Sequence, residues 1–255
     1  MTRAAAAVPR VKVLTLGRFE ILVNGVPTRF GRKTPARPLM LLKYLAAHAG
    51  EVTDREAVRD LWPTSHGASA TSLLAVNVHR LRQLLATPAS LMYGDHRMAI
   101  DPRHVWCDAL AFERWLEHAA TVSNGNERTR RRQRALALYR GDFLAREEAA
   151  SWLQHARDRF RSRFMRALAA HAQDLIDAAR WEQARAWYER GLELDPRAEE
   201  LCLGLMTCLA AMHQPVEAVA AYRRFEHSRG TGPAPAATTQ TLYRQLLLMR
   251  PMANP

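Results

Sequence analysis

Lysine is nearly missing from this chain: of 37 basic residues only Lys12, Lys33 and Lys43 are lysine, and the rest are arginine. Cysteine is scarce too. Cys107, Cys202 and Cys208 are an odd, sparse set that excludes a disulfide framework and fits a reducing cytoplasm, the expected location. No apolar run approaches the ~20 residues of a membrane-spanning helix. The opening MTRAAAAVPR is too short and too weakly apolar for a signal peptide and reads as a loose tail, residues 1–10. The motifs of common catalysts are lacking as well: there is no HExxH, GxSxG or CxxC. Gly31-Arg32-Lys33-Thr34 resembles the end of a phosphate-binding loop, but Arg32 separates Gly from Lys and Gly25 stands at the wrong spacing. Cys202, Cys208 and His213 do not share a helical face, so buried thiols are expected rather than metal ligands. Glu147-Glu148 and Glu199-Glu200 read as helix-start or surface charge. The expectation is a protein with no enzymatic activity, no cofactor and no metal.

What is present is apolar material and positive charge. Nearly half of the 255 residues, 48%, are hydrophobic, enough for real cores. The net charge of +12 suits a polyanion, either nucleic acid or an anionic membrane surface. The charge is uneven. Residues 1–106 carry 15 basic and 7 acidic side chains, making the N-terminal part the better candidate for a phosphate-facing surface.

The pattern along the chain divides in two. Residues 11–31 alternate apolar and polar side chains around the hairpin signal Asn24-Gly25, which predicts short antiparallel strands. TPARPLMLLKYLAAHAG follows as a first helix, with proline in its first turn and Gly50 at its end. Thr53 and Glu56 have capping-box spacing for a second helix, Asp54–Trp62, which Pro63 stops. After a polar loop at 64–68 comes a third helix, Ser69–Leu85, and then a hairpin at 91–100 with Gly94-Asp95 at its tip. Three helices closed by a hairpin describe a winged helix-turn-helix.

From Asp108 on, the pattern is helical almost throughout, including helices at 127–140 and about 148–179. WEQARAWYERGLELDP (181–196) and PVEAVAAYRRFEHS (215–228) place Ala184 and Tyr188, then Ala218 and Tyr222, in equivalent positions. The offset of 34 residues is the tetratricopeptide period. A last amphipathic helix is predicted over 239–249.

Six stretches carry a resemblance to a known family: LGRFEILVNG (16–25), LLKYLAAHAGEVTDREAVRDLWP (41–63), VNVHRLRQLL (76–85), CDALAFERW (107–115), ALALYRGDFL (135–144) and the two helical repeats. VHRLR and YRGDFL are the most specific, because no general amphipathic rule demands them. The chain resembles bacterial transcriptional activators with a winged-helix DNA-binding domain followed by a bacterial transcriptional activator domain, among them the Streptomyces antibiotic regulatory proteins. The resemblance implies a mainly α fold. An OmpR/PhoB-type winged helix with leading β-strands would occupy residues 11–106. An all-α, tetratricopeptide-like domain would occupy 107–250, with a tail at 251–255. It also implies that the helical domain serves oligomer formation, regulation or contact with the transcription machinery, and that the 64–68 loop is where relatives touch polymerase.

On the third helix, Leu74, Val78, Leu81 and Leu85 fall in one sector and should face the core. The opposite side is expected to show Ser72, Val76, His79, Arg80 and Gln83, flanked by Leu73, Asn77 and Arg82. Asn77, Arg80 and Gln83 are the candidates for base edges, with Ser72 and His79 nearer phosphates. The resemblance likewise supports Ser72, Asn77 and Arg80 at groove-facing positions. Arg82 lies nearer the buried side, where it would bridge helices or strands. Arg32, Lys33 and Arg37 at the start of the first helix, and His96 and Arg97 at the wing, are candidate phosphate contacts. Thr71, Leu73, Ala75 and Val76 dilute the polar face and depart from the family's usual pattern. Trp106, Trp115, Trp152, Trp181 and Trp187 read as packing between helices, although the inner surface of a repeat array is concave and can bind a peptide or small effector. The expected function is a cytoplasmic transcriptional activator that binds double-stranded promoter DNA, forms a homo-oligomer on it and contacts RNA polymerase, with no membrane association. The alternative is a repeat-domain adaptor whose winged helix no longer reads DNA.

Overall fold

A computed structural model of the chain describes residues 10–30, 35–148 and 150–249. It is mainly α, with a winged helix, leading strands and a helical-repeat segment, as the sequence pattern predicts. The described residues form two compact units that divide between Arg161 and Ser162. Among them no helix is long and apolar enough to cross a membrane, and no group of three His, Cys, Asp or Glu side chains is placed to hold a metal.

The first unit begins with β1 (Val11–Leu14), β2 (Glu20–Val23) and β3 (Val26–Pro27), the last two joined by Asn24-Gly25 with both residues at positive φ. Positive φ at two successive central residues matches the right-handed twist of the flanking strands. Helix α1 (Ala36–His48) buries Leu39, Leu41, Leu42 and Leu45. It ends at Ala49, which takes the left-handed conformation itself, one residue before the predicted Gly50. Strand β4 (Val52–Thr53) leads into α2 (Asp54–Leu61), where the Thr53–Glu56 capping box is complete in both directions. Helix α3 (Gly67–Leu84) follows, then a 3-10 turn, β5 (Leu91–Gly94) and β6 (Arg97–Ile100). The hairpin tip is Asp95-His96, both at positive φ, rather than Gly94-Asp95. Gly94 instead pairs with Arg97, a register that keeps Leu91, Met98 and Ile100 on the buried side. β4, β6 and β5 make the three-stranded wing sheet.

Strand β7 (Val105–Cys107) then crosses to pair in parallel with β1, completing a four-stranded sheet in the order β3-β2-β1-β7. It delivers α4 (Asp108–Thr121), which packs against α5 (Gly125–Leu138). Three of the family-resembling stretches meet here. The buried carboxylate of Asp108 accepts hydrogen bonds from Thr15 N (2.8 Å), Thr15 Oγ1 (2.7 Å), Leu16 N (3.0 Å) and Ala109 N (2.8 Å). From YRGDFL, Leu16 and Phe143 form an antiparallel bridge, Gly17 N donates to Asp142 O, and Leu144 N donates to Thr15 O. Gly17 sits at φ +105, and a Cβ there would come within 3.3 Å of the Arg140 backbone, so glycine is needed for both reasons. Arg157 gathers the carbonyls of Phe143, Leu144 and Glu147. These bonds carry α4, α5 and the first part of α6 (Ser151–Asp177) into the first compact unit. The first compact unit therefore extends past residue 107, to Arg161.

In the second unit, the rest of α6 is followed by α7 (Trp181–Leu194), α8 (Glu199–Ala211), α9 (Pro215–Arg229) and α10 (Ala237–Leu248). Ala184, Tyr188, Ala218 and Tyr222 are all buried, as the 34-residue period requires. The Tyr188 ring lies against Gly204 so closely that a Cβ there would stand 2.3 Å from it. Tyr222 stacks on Tyr243 with centroids 4.0 Å apart. All three cysteines are buried free thiols, and burial pushes the Cys208 thiol up to about 11. The five tryptophans assigned to packing are only half-buried. Arg134 lies over Trp115 and Arg190 over Trp187.

Replacing Asp108 by alanine strands the Thr15 and Leu16 amides in the core. It should destabilise the first unit by about 3 kcal/mol, read as an earlier urea transition of that unit alone.

Candidate nucleic-acid interface

Helix α3 has two distinct sides. Ala70, Leu74, Val78 and Leu81 are buried, and Leu85 beyond its end is buried too. Ser69, Ser72, Val76, His79, Arg80 and Gln83 form a continuous exposed stripe at helical spacing. Among the described residues, the side chains of Ser72, His79, Arg80 and Gln83 have no hydrogen bond or ion pair within the chain, so their polar groups face solvent. Val76, 45% exposed, sits in the middle of the stripe.

Asn77 corrects the sequence reading. Its side chain is 1% exposed and its Nδ2 donates back to Leu73 O at 2.8 Å, while Oδ1 has no partner. Its neighbour Val78 and the residues one turn away, Leu74 and Leu81, are buried, so residue 77 turns toward the core with them. It is not available to a base edge. Arg82 behaves as its placement suggested: Nη2 donates to Leu91 O at 3.1 Å, tying α3 to the wing sheet.

The wing is fastened to α2. Asp54 N donates to His96 O at 2.9 Å, and Asp54 Oδ2 lies 3.3 Å from both Tyr93 Oη and His96 Nδ1. Burial, followed by the Asp54 charge and hydrogen bond, raises the Tyr93 phenol above its ordinary range. The sequence held no signal for this latch, because its partners stand 39 and 42 residues apart. Arg97 makes a long, exposed ion pair with Glu51 at 3.4 Å, an interaction of little strength that leaves the guanidinium available. Arg37, in the first turn of α1, is exposed and has no partner among the described residues. Arg32 and Lys33 lie outside the described residues. The 64–68 loop is shortened because α3 already begins at Gly67.

Behind the face, α2 is held by charge. Tyr44 Oη donates to Asp60 Oδ2 at 2.7 Å, and Arg59 binds the same carboxylate. The Arg59 hydrogen bond, helped by Tyr44, holds the Asp60 carboxyl below its usual range. The Thr53 amide and hydroxyl do the same for Glu56.

Asn77→Leu removes an unpartnered buried amide oxygen, so stability should hold or rise by about 1 kcal/mol in urea unfolding. The depressed carboxyls of Glu56 and Asp60 favour the fold above the ordinary carboxylate range and lose that contribution as pH falls through their lowered values. Urea midpoints measured from pH 5 down to pH 3 should decline, and less so in the Glu56→Gln variant.

The bacterial transcriptional activator domain pattern matches residues 107–247, more than half of the chain. Among solved structures, Mycobacterium tuberculosis EmbR in complex with a low-affinity phosphopeptide matches with a TM-score of 0.69 at 21% identity. The match covers 96% of this chain and 67% of that one, a likeness of fold. No curated protein matches the chain. With the winged helix, the Asp108 and YRGDFL contacts and the buried Ala/Tyr repeat in place, the chain belongs to the bacterial transcriptional activator domain family, whose members regulate transcription.

Proposed function

We propose that the protein is a transcriptional activator that binds double-stranded promoter DNA in a sequence-dependent way, with α3 in the major groove. The observation that carries this reading is the exposed α3 stripe, whose Arg80, His79 and Gln83 side chains have no partner among the described residues. The major groove admits a helix of this width, and Arg offers bidentate hydrogen bonds to guanine. Val76 is placed to meet a thymine methyl group. Ser72 and Arg37, together with the wing residues His96 and Arg97, supply phosphate contacts, and Arg32 and Lys33 are proposed to add to them from the sequence. Such contacts position the protein without reading sequence. The helical segment is proposed to pair subunits on DNA and to hold RNA polymerase in the cytoplasm, with the loop before α3 as a second polymerase contact.

The buried Asn77 favours a competing reading, in which the winged helix serves a protein adaptor. With that amide turned inward, Arg80 and Gln83 are the base readers that remain of the three expected.

Selection from a random duplex pool, followed by binding at several salt concentrations, separates the two. The DNA reading expects an enriched motif and affinity that falls steeply with salt as counterions are released. Arg80→Ala should weaken binding to the selected site by about 1–3 kcal/mol and relax preference at one position. Failure to retain any duplex at low salt would leave the adaptor.

A further inference from the structure

Helix α5 carries the sequence GNERTRRRQRALAL, with five arginines and one glutamate in fourteen residues. Its apolar side, Ala135 and Leu136, is buried, and α5 packs against α4. Asn124 caps its start, with Oδ1 accepting from Glu127 N at 3.1 Å. Arg131 is engaged with Glu127 at 2.8 Å and with His118 O. Arg134 lies over the Trp115 ring at 5.0 Å. The Arg128 and Arg130 side chains have no hydrogen bond or ion pair among the described residues; Arg130 is exposed, and Arg128, half-buried, points to another side of the helix. The local field is positive: Arg131 first, then the charges of Arg130 and Arg134, hold the Glu127 carboxyl below its usual range.

This arrangement works against the helix that bears it. Arg130 and Arg134 stand four apart, a spacing at which like charges repel by a few tenths of a kcal/mol. Arg128 lies near the positive end of the helix dipole, where anions rather than cations are favoured. A bound polyanion relieves both. We infer that the exposed arginine row of α5 is a second DNA-binding surface, one that meets phosphates outside the stretch read by α3.

Two features favour a nucleic-acid backbone over an acidic protein. The exposed stripe of α5 is Asn126, Arg130, Gln133, Arg134 and Ala137. No large exposed apolar side chain lies on α4 or α5 among the described residues, whereas a protein interface would have an apolar centre. From Arg130 to Arg134 the helix rises about 6 Å, the span of about two phosphates of one strand at about 3.4 Å of duplex axis each. Helix α5 belongs to the same compact unit as the winged helix, so both are delivered together.

The inference rests on DNA as the partner proposed above, and its test separates the two. Affinity of the full chain is measured against salt on two duplexes, the selected site with long flanks and a random sequence of equal length. In Arg130→Gln/Arg134→Gln the slope of log affinity against log salt should become shallower by about 2 on both duplexes, because each phosphate no longer neutralised lowers it by about 0.9. The preference for the selected site should stay as in the parent. Arg130→Glu alone should shift the slope the same way, and circular dichroism on each variant confirms that the helix persists. An unchanged slope overturns the inference even where Arg80→Ala abolishes sequence preference, and points to a protein partner for α5. A shallower slope on duplexes bound without any preference keeps the α5 surface and removes groove reading. Loss of preference in the glutamine variant places α5 at the reading site and overturns its backbone role.

Discussion

The first compact unit depends on one buried carboxylate. Asp108 takes four hydrogen bonds, three of them from Thr15 and Leu16, more than ninety residues earlier. Burial raises its affinity for a proton, and the donors oppose that by stabilising the charged form. The chain beyond β1 leaves the sheet with amides that no strand satisfies, and the first residue of α4 supplies the acceptors. A buried charge is tolerated only where it is so fully bonded. The winged helix is thereby closed not by its own wing but by the start of the helical segment.

From that tie follows a mismatch between family and compact unit. The matched pattern begins at residue 107, whereas the compact body runs to Arg161. The YRGDFL stretch explains the difference. Its backbone pairs with Thr15–Gly17, the glycines at 17 and 141 allow the close approach, and Arg157 secures the carbonyls that remain. The winged helix and the basic α5 helix consequently share one body. Arginine is dense on α5, which carries five, whereas the exposed stripe of α3 carries Arg80 beside His79 and Gln83.

Much of this is legible in the sequence. The Asn24-Gly25 turn, the Thr53–Glu56 capping box and the buried leucines of α3 each express a rule that operates within a turn or two of chain, and the 34-residue Ala/Tyr period is a repetition visible in the sequence itself. The candidate interface was legible in part. Helical phase placed Arg80, His79 and Gln83 outward correctly, but Asn77 lies near the margin of the apolar sector, where phase alone does not decide. Packing against the rest of the winged helix turned it in.

The sequence alone thus determined which segments become helix or strand and that the protein belongs with winged-helix regulators, because periodicity and capping are written in neighbouring residues. Tertiary structure decided the parallel pairing of β7 with β1, the latch of Asp54 on the wing, the inward turn of Asn77 and the extent of the compact unit. Apart from the Asn77 bond to Leu73, these are contacts between residues tens of positions apart, and no spacing rule encodes which buried donor will find which acceptor once the chain has closed.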